Sequence, residues 1–207
     1  MALNKLVKLS HVTHLSDARY GAGMGVSLMG FPLDIHAADF VSPEKFAAIT
    51  EWLAGVEFVG EFENATLLEI EETLRNYKLD YLQVSNLKML PFLQELRLPI
   101  IAKMNIERQE PIYMPLSSYK DNLKYLLLES SKDEKTPLSD KEIQMIQKIA
   151  ENFPVLLGYG ITKENVSEIL TQIPLQGIAL KGSEEIKAGY KDFDDLAEIL
   201  EQIEIDD

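Results

Sequence analysis

Eight short apolar runs, separated by amphipathic or helix-capped stretches, constrain the fold of this chain more than any other feature. They are Leu6–Val12, Val26–Phe31, Val56–Phe62, Asp80–Val84, Pro99–Met104, Leu123–Leu128, Pro154–Leu157 and Gly177–Leu180. Near-continuous Val, Ile, Leu and Phe, rather than strict alternation, marks strands covered on both faces, and strand–helix alternation builds parallel sheets. Helix starts fall between the runs. Ser42-Pro43 reads as an N-cap with proline at the first helical position, and Ser139-Asp140-Lys141-Glu142 as a capping box. Other helices are expected from near Ser16, over about 66–77 and 87–96, near Leu116–Lys120, from Thr162, and over about Asp192–Gln202.

Eight such units with no Pro-, Gly- or Ser-rich linker predict an α/β protein, a single-domain (β/α)8 (TIM) barrel spanning residues 1–207. The competing topology is a doubly wound open sheet. Its phosphate fingerprint, Gly-x-Gly-x-x-Gly after the first strand, is missing, because Ser10-His11-Val12-Thr13-His14 stands there. Gly21-Ala22-Gly23-Met24-Gly25 comes at the end of the first helix, where it serves a turn.

Charge and composition narrow the partners. The chain has 34 acidic and 20 basic side chains, a net charge of -14 and a pI near 4.7. That balance argues against nucleic acid or an anionic membrane, since both require a basic face. Residues 1–14 lack the unbroken apolar stretch of a signal peptide, and no window reaches membrane-spanning length. A cytoplasmic monomer or homodimer with a small-molecule ligand and no cofactor is expected. The absence of cysteine excludes disulfides, thiolate metal sites and a thiolate nucleophile.

In a barrel, chemistry sits at the C-terminal ends of the strands. Those positions carry Ser10, His11 and His14 after strand 1, then His36 and Asp39 after strand 2. Glu61 and Glu63 end strand 3, Gln83 and Ser85 strand 4, and Lys103 and Asn105 strand 5. Glu129 with Ser130 ends strand 6. The turns Gly158-Tyr159-Gly160 and Lys181-Gly182-Ser183 follow strands 7 and 8, where such barrels cradle phosphate with backbone N–H groups. Each residue alone is equally a polar terminus of an apolar strand. Glu129, closing a strand that is apolar but for Lys124, suits a general acid. The three histidines with Glu61 or Glu63 have the chemistry of an imidazole–carboxylate metal site, although their spacing matches no named motif.

Several segments, in order, resemble the phosphoribosylanthranilate isomerase family. Lys8-Leu9-Ser10-His11-Val12-Thr13, followed by Asp17-Ala18-Arg19, is similar to the family's Lys-Ile-Cys-Gly-Ile-Thr and its Asp-Ala. Phe40-Val41-Ser42-Pro43-Glu44 resembles Tyr-Ile-Ser-Pro-Glu, and Val59-Gly60-Glu61-Phe62-Glu63-Asn64 resembles Val-Gly-Val-Phe-Val-Asn. Tyr81-Leu82-Gln83-Val84, Gly158-Tyr159-Gly160-Ile161-Thr162 and Gly189-Tyr190-Lys191-Asp192 follow its strand-4, strand-7 and pre-helix-8 motifs.

The resemblance implies a single (β/α)8 barrel and an Amadori rearrangement of an aminoaldose to an aminoketose. An acid protonates the ribose ring oxygen, a Schiff base opens, and a base removes the C2 proton. The family's cysteine base falls at Ser10, its aspartate acid at Glu129, its substrate-gripping arginine at Asp39 and its strand-8 aspartate at Ala179. A serine hydroxyl is too weak an acid to serve unassisted as a base near neutrality. A degenerate, repurposed or silent small-molecule site, with a phosphosugar as one candidate ligand, is therefore the first expectation. An active isomerase is the alternative, with His11 or His14 as base, Glu129 as acid, and Lys103 or Lys181 gripping phosphate. A metal-dependent enzyme comes third. If strand alternation holds, His11 faces away from Ser10.

Overall fold

A computed structural model describes residues 2–107, 116–119, 122–133, 135–182, 185–187, 190–191 and 193–205. Eight parallel strands close into a barrel in sequence order: β1 (Leu6–Ser10), β2 (Leu28–Pro32), β3 (Glu57–Phe62), β4 (Tyr81–Val84), β5 (Ile100–Asn105), β6 (Leu123–Glu129), β7 (Val155–Leu157) and β8 (Gly177–Lys181). Every apolar run of the sequence supplies one strand. Closure comes from β1 lying beside β8 with Leu6 opposite Gly177 through Ser10 opposite Lys181. A Cβ at Gly177 would stand 2.0 Å from the carbonyl oxygen of Leu6, so only glycine lets the first and last strands meet there.

The helices are α1 (Leu15–Gly23), α2 (Pro43–Thr50), α3 (Leu67–Thr73), α4 (Leu90–Leu93), α5 (Asp140–Ala150), α6 (Val166–Gln172) and α7 (Asp194–Glu201). Ser42 caps α2 through Lys45 N, and Ser139 with Glu142 closes a reciprocal capping box on α5. Three expectations need correction. The helix after β4 is α4 flanked by two 3₁₀ turns, Leu87–Met89 and Gln94–Leu96, with Pro91 removing an N–H donor from its first turn. After β5 the described residues hold only a 3₁₀ turn at Leu116–Tyr119, and 108–115 lie outside them. Finally, α6 begins at Val166 rather than Thr162, because the Asn165 side chain holds the preceding loop. Its Oδ1 accepts from Thr162 N, and its Nδ2 donates to Gly160 O, each at 2.8 Å.

Two apolar clusters follow from strand alternation. The larger joins one strand face, including Val7, Leu9, Met29 and Phe31, to helix residues such as Phe46, Ile70, Leu93 and Ile146. The smaller fills the barrel with Leu28, Val59, Tyr81, Ile101, Tyr125, Leu127, Leu156 and Ala179. Residues two further along the same register reach the C-terminal mouth. That parity sends Ser10, Glu61, Gln83, Lys103 and Glu129 inward.

Candidate functional site

At the mouth, β1 and β3 are tied by a buried ion pair. Lys8, fully buried on β1, contacts Glu61 Oε1 on β3, and its Nζ also donates to Ser10 Oγ at 2.7 Å. The intervening strand leaves room for this because a Cβ at Gly30 would overlap both the Glu61 carboxylate and Lys8 Nζ. Burial alone would raise the pKa of Glu61, but the Lys8 ammonium and His11 outweigh it and bring it down to about 2. Glu61 is therefore held as an anion near neutral pH. The contact given for Ser10 Oγ is to a donor, and among the described residues no base is shown hydrogen-bonded to its hydroxyl, so nothing there activates it as a base.

His11 does not face away from Ser10. Its backbone is left-handed, φ +61°, so alternation ends with β1 and the imidazole turns over the mouth. There its backbone N donates to Glu61 Oε2 at 3.1 Å, Nδ1 lies 3.3 Å from the same oxygen, and Nε2 lies 2.6 Å from Asp39 Oδ2. The hydrogen bond to Glu61 raises the imidazole pKa above its ordinary value; burial opposes this, and the charges of Glu61 and Asp39 add to it. Both ring nitrogens thus face carboxylates, the setting of an imidazolium.

Across the mouth, Lys103 on β5 bridges two carboxylates. It contacts Glu63 Oε1 and lies 3.2 Å from Glu129 Oε2. Burial works against this ammonium, yet Glu129 and Glu63 hold its pKa above the usual value. Ser85 Oγ donates to Glu63 Oε2 at 2.6 Å. Glu61 and Glu63, two residues apart, are both used at the mouth. Gln83 is buried on β4, and its Oε1 has no hydrogen-bond partner among the described residues.

The glycine turns are partly engaged within the fold. Gly158 N donates to Leu128 O at 2.8 Å, and Gly182 N to Ser10 O at 3.4 Å. Gly160 turns the chain at φ +71°. Tyr159 is buried, burial pushes its phenol pKa up, and its hydroxyl has no partner among the described residues. Lys181 is exposed. Ser183, Gly189 and Asp192 lie outside the described residues.

The three histidines do not converge. His11 and His36 border one cavity, with His36 Nε2 at 3.2 Å from Glu69 Oε1, while His14 is the N-cap residue of α1, its Nδ1 2.8 Å from Thr13 Oγ1. Among the described residues no group of three or more His, Asp or Glu is placed to hold a metal ion. Sequence reading missed Lys8 and Asp34. The signal for Lys8 was its place two residues before Ser10 in an otherwise apolar strand. Asp34 lies in the loop after β2, where its Oδ2 accepts from the backbone of Glu63 at 2.7 Å and Asn64 at 3.0 Å.

Comparison with known proteins adds a family to this geometry. The profile of the N-(5'-phosphoribosyl)anthranilate (PRA) isomerase family matches residues 7–202. The chain belongs to that family. It is 26% identical over 208 residues to the N-(5'-phosphoribosyl)anthranilate isomerase of Nostoc punctiforme, covering 95% of this chain and 97% of that protein. The crystal structure of the Thermus thermophilus phosphoribosyl anthranilate isomerase superposes with a TM-score of 0.76 at 22% identity, covering 95% and 97% of the two chains. A phosphoribosyl anthranilate isomerase in complex with reduced 1-(o-carboxyphenylamino)-1-deoxyribulose 5-phosphate also gives 0.76, at 20% identity over 96% and 98%. At these identities the solved structures speak for the fold. One element of the resemblance is corrected. A catalytic cysteine does not come with membership, because this chain has none. No helix among the described residues is long and apolar enough to cross a membrane.

Proposed function

We infer that this protein is an intramolecular aldose–ketose isomerase of the Amadori kind, acting in the cytoplasm on a phosphorylated N-substituted amino sugar. The observation that carries this reading is the pair of proton-transfer groups on opposite sides of the mouth. One is His11, between Glu61 and Asp39; the other is Glu129, beside Lys103. Family membership along nearly the whole chain supports the isomerase over a degenerate or repurposed site, which none of these findings favours.

The charge states set the roles. His11 as an imidazolium donates a proton to the ring oxygen as Asp39 gives way to substrate, and the ring C–O bond opens to the Schiff base. Glu129, a salt-bridged carboxylate, takes the C2 proton, and the resulting enolamine ketonises. In the ketonisation C1 gains a proton as O2 loses one, and the proton left on Glu129 returns to His11 by exchange with solvent, so the sequence is balanced. Lys103 holds Glu129 in place. Ser10, held by Lys8, donates its hydroxyl hydrogen to the substrate rather than acting as base. These roles reverse the assignment that the family resemblance implies, in which the base sits on strand 1 and the acid on strand 6.

The test is steady-state turnover of freshly generated phosphoribosylanthranilate, followed by loss of anthranilate-type fluorescence. His11→Gln and Glu129→Gln are each expected to lower turnover by about 10²-fold or more, the usual contribution of one acid–base group. Unchanged turnover in both variants overturns the assignment of roles, and no turnover by the folded protein overturns the isomerase reading.

A further inference from the structure

Just beyond β3 the chain seats a carboxylate between two donors. Glu63 contacts the Lys103 ammonium through Oε1 and accepts from Ser85 Oγ through Oε2 at 2.6 Å. Lys103 stands on β5 and Ser85 directly follows β4, so neighbouring strands grip both oxygens of one carboxylate. The same ammonium lies 3.2 Å from Glu129 Oε2. The backbone of Glu63 is fixed, since its N–H donates to Asp34 Oδ2 at 2.7 Å. Its side chain, however, is 38% exposed, against 18% for Glu129. Of the two carboxylates on Lys103, Glu63 is the one with the wider path into water. An ion pair exposed to that degree is weak enough to exchange.

The ring of strands indicates what exchanges for it. In the closed barrel β3, β4 and β5 stand across from β7, β8 and β1. A phosphosugar whose phosphate sits in the turns after β7 and β8, the usual cradle of such barrels, extends its N-substituent toward Ser85 and Lys103. Elsewhere at the mouth, Lys8 has no exposed surface and lies against Glu61, while His11 is enclosed by Glu61 and Asp39. Asp39 itself stands where the family resemblance expects an arginine, so a carboxylate on the substrate finds no cation at that position.

We propose that Lys103 and Ser85 form the subsite for a carboxylate on the N-aryl substituent of the substrate, with Glu63 as a built-in occupant that the incoming carboxylate displaces. This subsite rests on the isomerase reading and deepens it. One ammonium then holds both the base, Glu129, and the aryl carboxylate, which sets the C2 proton beside the group that removes it.

Anthranilate and 2-aminobenzamide, which differ only in carboxylate against carboxamide, test this by calorimetric titration of the full chain. Glu63→Ala vacates the subsite and should tighten anthranilate about tenfold, the effect of one differential ion pair, with 2-aminobenzamide unchanged. Glu63→Gln, which keeps the shape, should move anthranilate in the same direction by less. Ser85→Ala, added to Glu63→Ala, changes no charge and should weaken anthranilate about tenfold, the loss of one hydrogen bond to a charged group. The inference is overturned if the folded Glu63→Ala protein binds anthranilate no more tightly than the amide or not at all, or if Ser85→Ala on that background leaves its affinity unchanged. Turnover of phosphoribosylanthranilate reads the isomerase separately. No turnover, with anthranilate binding that follows Glu63 and Ser85, overturns the isomerase and leaves the carboxylate subsite standing; turnover without that dependence overturns the subsite alone.

Discussion

Lys8 and Glu61 work only as a pair, because each lies where water cannot solvate a lone charge. Lys8→Met should destabilise the barrel by about 3–5 kcal/mol, since it leaves a buried carboxylate without its counterion. Adding Glu61→Leu should recover most of that loss, and urea denaturation of the single and double variants measures the coupling. The same pair sets the acid limit of stability. The folded pKa of Glu61 is depressed to about 2 from an ordinary 4.5, so the unfolded chain takes up the proton first. Its contribution is complete above about pH 4.5 and is lost as pH falls toward about 2. In the double variant, Lys8→Met with Glu61→Leu, the fall in stability over that interval should be shallower, measured by thermal unfolding at each pH.

At the level of elements, the chemistry depends on where β1 stops. Had the strand run one residue further, His11 would point into the helix layer, where the sequence pattern alone places it. The left-handed backbone at His11 brings the imidazole to Glu61 and Asp39 instead. This has a kinetic consequence with a definite sign. The histidine pKa is raised, and the protonated form is the proton donor, so kcat/KM should fall as pH rises through that pKa. A profile that rises over the same interval assigns His11 to the base instead. Asp39→Asn, removing one of the two facing carboxylates, should move the limb to lower pH, which a structural role for Asp39 would not do.

The strands were legible because eight apolar runs with capped stretches between them admit few other solutions, and their bounds shift by only a residue or two in most cases. Helices were less legible where a side chain intervened, as Asn165 delays α6 and Pro91 breaks up the helix after β4. The mouth was half legible. Parity brings Ser10, Gln83, Lys103 and Glu129 inward, and it brings Glu61 and Glu63 together because residues two apart share a strand face. What sequence did not disclose were contacts between distant segments. Lys8 finds Glu61 across 53 positions, and Asp34 finds the backbone of Glu63 and Asn64 about 30 positions away.

At the scale of the whole molecule, a closed barrel of this family carries a mouth in which Lys8, His11 and Lys103 each meet carboxylates. The barrel, family membership, and His11 and Glu129 placed at its mouth support the proposed proton transfer. The most direct measurement is a single-turnover reaction, with the folded protein in excess over freshly generated phosphoribosylanthranilate. The account predicts slow but complete conversion to the aminoketose, abolished by Glu129→Gln. A folded protein that leaves the aldose unconverted, or a Glu129→Gln variant that converts it at the same rate, would contradict it.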